Sequence, residues 1–329
     1  MSLAKELGER KIIQLIINCL DKMPNMPIPF GDDSAAIDLG DEKVIVINTD
    51  MLVGKTDVPK TMTLWQAARK AVIMNISDLA AKGIQPLAIL ASIGISPNLT
   101  RGEINQIGNG LNSGAREYDS YIIGGDTNEA SDLIINCVAI GTGDKRYFIK
   151  RSGAKSGDYV AVTGLFGKTS AGLKILMNNF SAPKIKEQLI KSVLMPKARV
   201  KEGIALSQSQ AATASIDVSD GLAWSLHELS LASNVGFNID FIPIAPEVET
   251  FANIHHLDPI NLALYGGEEY ELLVTIKPNL WTKAVDFIEA VGGSLIKIGL
   301  VTKKKKILFK SDEKTTPIEF RGWEHFKID

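Results

Sequence analysis

Apolar and polar positions change their period several times along the 329-residue chain. Residues 44–47 form a continuous apolar run, Val-Ile-Val-Ile, and residues 44–48 read as a buried strand. Residues 63–82 carry apolar side chains at helical spacing, open on Thr61 or Thr63 and close at Gly83, with Pro86 beyond, so they predict a long helix. A strand over 87–95, a helix over 100–118 and strands over 121–123 and 133–141 follow. That succession is an α/β pattern. A polar Gly/Ser stretch over 150–158 breaks it. Beyond the break, strands are expected over 159–163, 212–217, 237–241, 270–276, 294–299 and 307–310, with helices over 169–178, 185–194, 200–208, 221–233 and 279–291. The expectation is two domains, residues 1–150 and 151–329, each of a size that one core can fill.

Composition alters this picture little. A chain 45% hydrophobic and 22% charged has enough apolar material for real cores, which excludes a disordered chain. A formal charge of −2 gives no pull toward nucleic acid or an anionic membrane, and neither partner is expected. The basic run Lys303 to Lys306 lies between two strand-like segments and reads as a solvated hairpin turn. Cys19 and Cys137 stand in apolar surroundings without metal spacing, so they read as reduced core residues of a cytoplasmic protein. Near the N-terminus, Ile12 to Ile17 follows mixed charges and forms an amphipathic helix too short for a signal peptide or membrane span.

The chemistry lies in the aspartates. Asp32, Asp33, Asp50, Asp78, Asp126, Asp217 and Asp220 all sit in short Gly/Ser/Thr-rich motifs, and Asp50, Asp126 and Asp217 stand where apolar runs end. Singly, an Asp at a strand end serves as often to close a turn or cap a helix. Asp78 is different, because Asn75-Ile76-Ser77-Asp78 places three polar groups in an apolar helical run, where a buried carboxylate needs a cation or several donors. Converging carboxylates repel one another, and their hard oxygens select Mg²⁺ or Ca²⁺. Asp217 and Ser219 share a face if the strand continues through them, and Asp220 then stands at a helix start. Gly266 to Glu271 adds an acidic loop.

Two glycine strings imitate phosphate-binding motifs. Gly164-Leu165-Phe166-Gly167-Lys168-Thr169 fails as a P-loop because the first glycine position holds Val162; it is a turn opening a helix whose amides could hold an anion. Gly108-Asn109-Gly110 lies within a helix and not after a strand. The four histidines, His227, His255, His256 and His325, show no ligand spacing and stand outside the aspartate motifs, so a histidine base is not expected.

Taken in order, Gly31-Asp32-Asp33-Ser34, Asn48-Thr49-Asp50, Asn75-Ile76-Ser77-Asp78-Leu79-Ala80-Ala81-Lys82-Gly83, Gly124-Gly125-Asp126-Thr127, Arg151-Ser152-Gly153-Ala154, Asp217-Val218-Ser219-Asp220-Gly221 and Gly266-Gly267-Glu268-Glu269-Tyr270-Glu271 resemble the thiamine-monophosphate kinases, a family of the aminoimidazole-ribonucleotide-synthetase-like superfamily. The resemblance runs from about residue 7 to the C-terminus. It implies a two-domain α/β (α+β) fold, with an N-terminal mixed sheet that forms a β-barrel with a second copy and a C-terminal α/β domain. It also implies transfer of the γ-phosphoryl group of ATP to thiamine monophosphate, assisted by several Mg²⁺ ions, in a homodimer.

By the same resemblance, Asp33, Asn48, Thr49, Asp50, Asp78, Asp126, Asp217 and Asp220 would ligate Mg²⁺, and Asp126, Asp217 and Asp220 would be catalytic. Gly125, Arg151 and Ser219 would meet ATP, while Glu268 and Trp323 would meet the acceptor. Asp57 lies in the segment where many bacterial members carry an acceptor-binding His. Asn48 stands for the commoner Ser or Thr, and Glu269 for Asp. The chemistry suits the residues: an anionic phosphate oxygen needs no general base, and the difficulty is bringing two polyanions together.

Other readings fare less well. Selenophosphate synthetases want a reactive Cys or selenocysteine, hydrogenase-maturation relatives a C-terminal Cys, and aminoimidazole-ribonucleotide synthetases lack this run of Asp motifs. A Mg²⁺-nucleotide sensor would not need Glu268 and Trp323, and a phosphohydrolase would release phosphate without a thiamine acceptor.

Overall fold

The computed structural model describes residues 3–311 and 314–326. Helices α1 (Ala4–Leu7) and α2 (Glu9–Ile17) precede strands β1 (Ala35–Gly40) and β2 (Lys43–Val53). Then come α3 (Gly54–Asp57), α4 (Leu64–Ala81), β3 (Pro86–Ile95), α5 (Arg101–Arg116), β4 (Tyr121–Glu129) and β5 (Ile134–Asp144). The five strands form one open mixed sheet in the order β1-β2-β5-β3-β4, with only β3 and β4 parallel. No closed barrel is found within the described residues of the chain; β1 and β4 are free edges.

Helix α4 organises the molecule. Thr63 and Gln66 close its N-terminus reciprocally as a capping box. It is apolar on almost every side, as expected of a helix packed all round. Two glycines let other helices approach it. A Cβ on Gly110 would fall 2.2 Å from the Trp65 carbonyl, and one on Gly203 2.0 Å from the Ala80 carbonyl. The Gly108–Gly110 string that imitates a nucleotide fingerprint therefore packs α5 onto α4.

After the break come β6 (Tyr159–Val162), α6 (Lys168–Asn178), α7 (Lys186–Leu194), α8 (Val200–Ser209), β7 (Ala212–Asp217), α9 (Leu222–Ser233) and β8 (Gly236–Ile239). They continue with α10 (Pro246–His255), α11 (Pro259–Tyr265), β9 (Leu272–Ile276), α12 (Trp281–Ala290), β10 (Ile296–Thr302), β11 (Ile307–Lys310) and β12 (Thr315–Pro317). The second sheet runs β12-β11-β8-β10-β6-β9-β7. Its outermost strand β7 faces α4, so the core of one sheet meets the edge of the other.

Several expectations need correction. Residues 303–306 are not a hairpin turn: β8 lies between β10 and β11, antiparallel to one and parallel to the other, so the lysine run crosses over the end of β8. Cys19 is exposed in the turn after α2, with its thiol on the Leu15 carbonyl, because the apolar residues around it, Ile16 and Leu20, are themselves exposed. Cys137 is buried as expected. Helices α10 and α11 and strand β1 are additional to the expected elements. Among the described residues no helix is long and apolar enough to cross a membrane.

Candidate active site

Helix α4 carries Asn75, Ser77 and Asp78 at its C-terminal half, β2 presents Asn48 and Asp50 toward it, and β7 ends at Asp217 beside it. Alternation along β2 puts Asn48 and Asp50 on the helix-facing side. Asn48 Nδ2 donates to Asp78 Oδ2 at 2.8 Å, and the Asp50 amide to Asn75 Oδ1 at 2.9 Å. Ser77 Oγ donates to Asp217 Oδ2 at 2.7 Å, which links the first sheet's helix to the second sheet's edge. The result is a compact centre in which Asp33, Asp78 and Asp217 each place an oxygen within 4.8 Å of the others.

Two cations flank one side of this centre. Arg151 Nε donates to Asp33 Oδ1 at 2.7 Å, and its backbone amide donates to Asp32 Oδ2 at 2.9 Å. Lys82 Nζ donates to Asp32 Oδ1 and lies 2.6 Å from Asp33 Oδ2, off the direction of a hydrogen bond. Burial opposes the ionisation of Asp33, but the charges of Arg151 and Lys82 outweigh it and hold that carboxyl below its ordinary range.

The other carboxylates move the opposite way. Burial, then the charge of Asp33, pushes Asp50 up to about 6 and Asp217 up to about 7. Asp220 is also pushed up to about 7, by burial and then by Glu9 and Asp50. Asp78 is raised well above its ordinary value by burial and by Asp50, Asp217 and Asp33. Carboxylates that resist ionising together are short of positive charge. One buried oxygen of the centre, Asn48 Oδ1, also lacks a hydrogen-bond donor. Hard oxygen ligands, unsatisfied lone pairs and excess negative charge together suit Mg²⁺.

Not every expected ligand is gathered here. Asp126 lies on edge strand β4 opposite Ser92, exposed and outside the three-carboxylate group. Thr49 points away from Asn48 and Asp50 and spends its hydroxyl on Asn136 and the Cys137 carbonyl. Gly125 pairs with Ala91 so closely that a Cβ would fall 1.8 Å from the Ala91 carbonyl, which requires a glycine. Strand pairing continues irregularly past β7, as Val218 exchanges backbone bonds with Glu271 and Tyr270, and the Ser219 carbonyl accepts from the Glu268 amide. Asp220 stands just before α9, and its carbonyl accepts from the amide of the exposed Trp323.

On the acceptor side, Asp57 is turned inward to receive the Val53 amide at 2.7 Å. The buried Lys70 donates to the Asp57 carbonyl and pairs with Glu268. The anion-holding turn at residues 164–169 is already filled: the Glu269 carboxylate accepts from the amides of Gly167 and Thr169 at the start of α6. Lys70 and Lys82 are the functional candidates the residue pattern did not single out. Both are wholly buried, and in the sequence the one signal is a lysine standing among alanines and other apolar residues of α4 and its cap.

Models of the AIR synthase related proteins match both parts of the chain, the N-terminal domain over residues 31–142 and the C-terminal domain over 155–310. The thiamine-monophosphate kinase of Pyrococcus horikoshii is 38% identical over 325 residues, 98% of this chain and 97% of its own. That of Nitrosopumilus maritimus is 34% identical over 284 residues, covering 86% and 89%. The solved structure of AaThiL complexed with AMPPCP and TMP is similar at a TM-score of 0.86 and 27% identity, over 99% of both chains. The chain belongs to the thiamine-monophosphate kinase family, within the AIR synthase related proteins.

Proposed function

We propose that the chain transfers the γ-phosphoryl group of ATP directly to the phosphate of thiamine monophosphate, giving thiamine diphosphate and ADP. The observation that carries this reading is the all-carboxylate centre of Asp33, Asp78 and Asp217 where the two sheets meet. Its relatives are thiamine-monophosphate kinases, and AaThiL has been solved with AMPPCP and TMP.

In this reading Asp33, Asp78 and Asp217, joined by Asn48, Asp50, Asp126 and Asp220, would hold several Mg²⁺ ions, and Thr49, whose hydroxyl is turned to Asn136 and the Cys137 carbonyl, is left out of the set. When bound, Mg²⁺ offsets the repulsion between donor and acceptor phosphates and stabilises charge on the group in flight. Asp217 and Asp220 aim the reacting phosphates, and Asp126 and Gly125 on β4 approach from the ATP side with Arg151 and Ser219. Glu268, Trp323 and Asp57 flank the acceptor, where Lys70 already ties Glu268 to the Asp57 backbone. The attacking oxygen is an anion, so no side chain has to remove a proton.

We further propose residues 1–150 and 151–329 as the two domains, and a cytoplasmic homodimer. Met51, Leu90 and Ile37 expose an apolar strip on the sheet face turned away from α4, and the edges β1 and β4 are unpaired. A second copy that shares a barrel would cover both features. The activity is tested by incubating the protein with ATP and Mg²⁺ plus thiamine monophosphate, thiamine or no acceptor. ADP formation that requires the monophosphate is expected; equal ADP release with all three would identify a phosphohydrolase.

A further inference from the structure

Lys82 occupies an unusual position for a lysine. It caps the C-terminus of α4 yet is completely buried. Its ammonium has three donors and no acceptor, and three oxygens surround it: Asp32 Oδ1, Asp33 Oδ2 and the Ser215 carbonyl, the last at 3.1 Å. These contacts come from the segment before β1 and from β7, while Lys82 itself follows α4. Asp33 is touched directly. Asp78 lies four residues before Lys82 on the same helix face, and Asp217 lies two residues after Ser215 on the same strand. One ammonium therefore stands next to the anchor point of every member of the three-carboxylate centre.

The charge balance explains why a cation is needed there. Asp32, Asp33 and Glu228 face Lys82, Arg151 and Arg10, three negative groups against three positive ones. That pairing is closed without any metal, and among the described residues it leaves Asp78 and Asp217 as the members of the three-carboxylate centre with no ion pair of their own. We propose that Lys82 is a resident counter-cation that assembles the metal centre from three separate parts of the chain before any divalent ion arrives. It is a positioning residue: its Nζ is consumed by protein oxygens and touches no substrate. The inference rests on the Mg²⁺ reading of the centre given above.

The test uses the full-length protein, with thermal unfolding followed in EDTA and in saturating Mn²⁺, and bound Mn²⁺ counted by electron paramagnetic resonance. Lys82→Met keeps the length of the side chain but leaves Asp32 and Asp33 with Arg151 alone. Its Tm in EDTA is expected to fall by on the order of 10 °C, and Mn²⁺ should raise it by more than it raises the wild type. The double variant Asp32→Asn/Lys82→Met restores the charge balance and should recover most of the lost Tm in EDTA, because a buried pair removed together is tolerated better than one partner removed alone.

A single variant that fails to fold beside a double variant that folds supports the proposal. A double variant as unstable as the single one, failure of both to fold, or a Lys82→Met protein that matches the wild type in EDTA overturns it. A wild type that binds no Mn²⁺ would instead refute the Mg²⁺ reading, and the comparison in EDTA would still decide whether Lys82 acts through its charge.

Discussion

Ser77 donates its hydroxyl to Asp217 across 2.7 Å, and the two residues are 140 positions apart in the chain. Both are buried, one on α4 and the other at the last position of β7. The bond fixes one Asp217 oxygen, and so sets how the other faces Asp33 and Asp78. Packing between the two sheets is thus part of the proposed metal site.

A group that orients a ligand matters less than the ligand itself, which predicts a graded series. Ser77→Ala should weaken Mn²⁺ binding by about 10- to 100-fold while the fold survives. Asp217→Asn and Asp220→Asn should each lower turnover by roughly 100-fold or more with little change in Tm. Calorimetric Mn²⁺ titration and steady-state rates check the order; wild-type rates in Asp220→Asn would remove that residue from the site.

Burial pushes Asp50, Asp217 and Asp220 up to about 6, about 7 and about 7 in the folded chain, above their ordinary 3.8. The folded state therefore binds more protons than the unfolded state between about pH 4 and 7, so metal-free stability from these groups falls as pH rises through that window. Mg²⁺ needs the ionised carboxylates, so its stabilising effect should grow over the same window. Differential scanning fluorimetry with and without Mg²⁺ is expected to show a small shift near about pH 5 and a shift of several degrees near about pH 8. The activity limb near about pH 6.5 should flatten at saturating Mg²⁺; a limb that Mg²⁺ cannot move would indicate a side-chain base instead.

Glu269 offers a separate pH test away from the three-carboxylate centre. Burial pushes its carboxyl up to about 7, against the hydrogen bonds from Thr169 and Gly167 that favour the charge. Its ionisation lowers stability as pH rises from about 4.5 to 7. Glu269→Gln keeps an oxygen for both amides without that charge. It should match the wild type near about pH 5 and exceed it by on the order of 1–2 kcal/mol near about pH 8, read from urea unfolding. A variant less stable than the wild type at both values would show that the charge stabilises the start of α6.

Much of this site is legible in the sequence because its carboxylates end or interrupt apolar runs. Asp50 and Asp217 follow apolar strand runs, and Asp78 interrupts an apolar helix, so their placement follows from local pattern. Lys82 and Lys70 were hidden for the opposite reason. A lysine in the last turn of a helix normally faces water, and only the arrival of β7 and the segment at residues 31–33 buries Lys82. Helices α10 and α11 carry a weak pattern signal: both are short and open on a proline, Pro246 and Pro259, which occupies the first helical turn, where proline fits. The false hairpin at residues 303–306 shows the same limit. Neighbouring strands with a short link usually pair, and only the tertiary fold inserts β8 between them.

The most direct test is ³¹P nuclear magnetic resonance of one reaction containing the protein, ATP, Mg²⁺ and thiamine monophosphate, repeated with EDTA. The account predicts that thiamine diphosphate and ADP appear in equal amounts as ATP and the monophosphate disappear, and that nothing changes in EDTA. Inorganic phosphate growing in step with ADP, or thiamine diphosphate formed in EDTA, would contradict it.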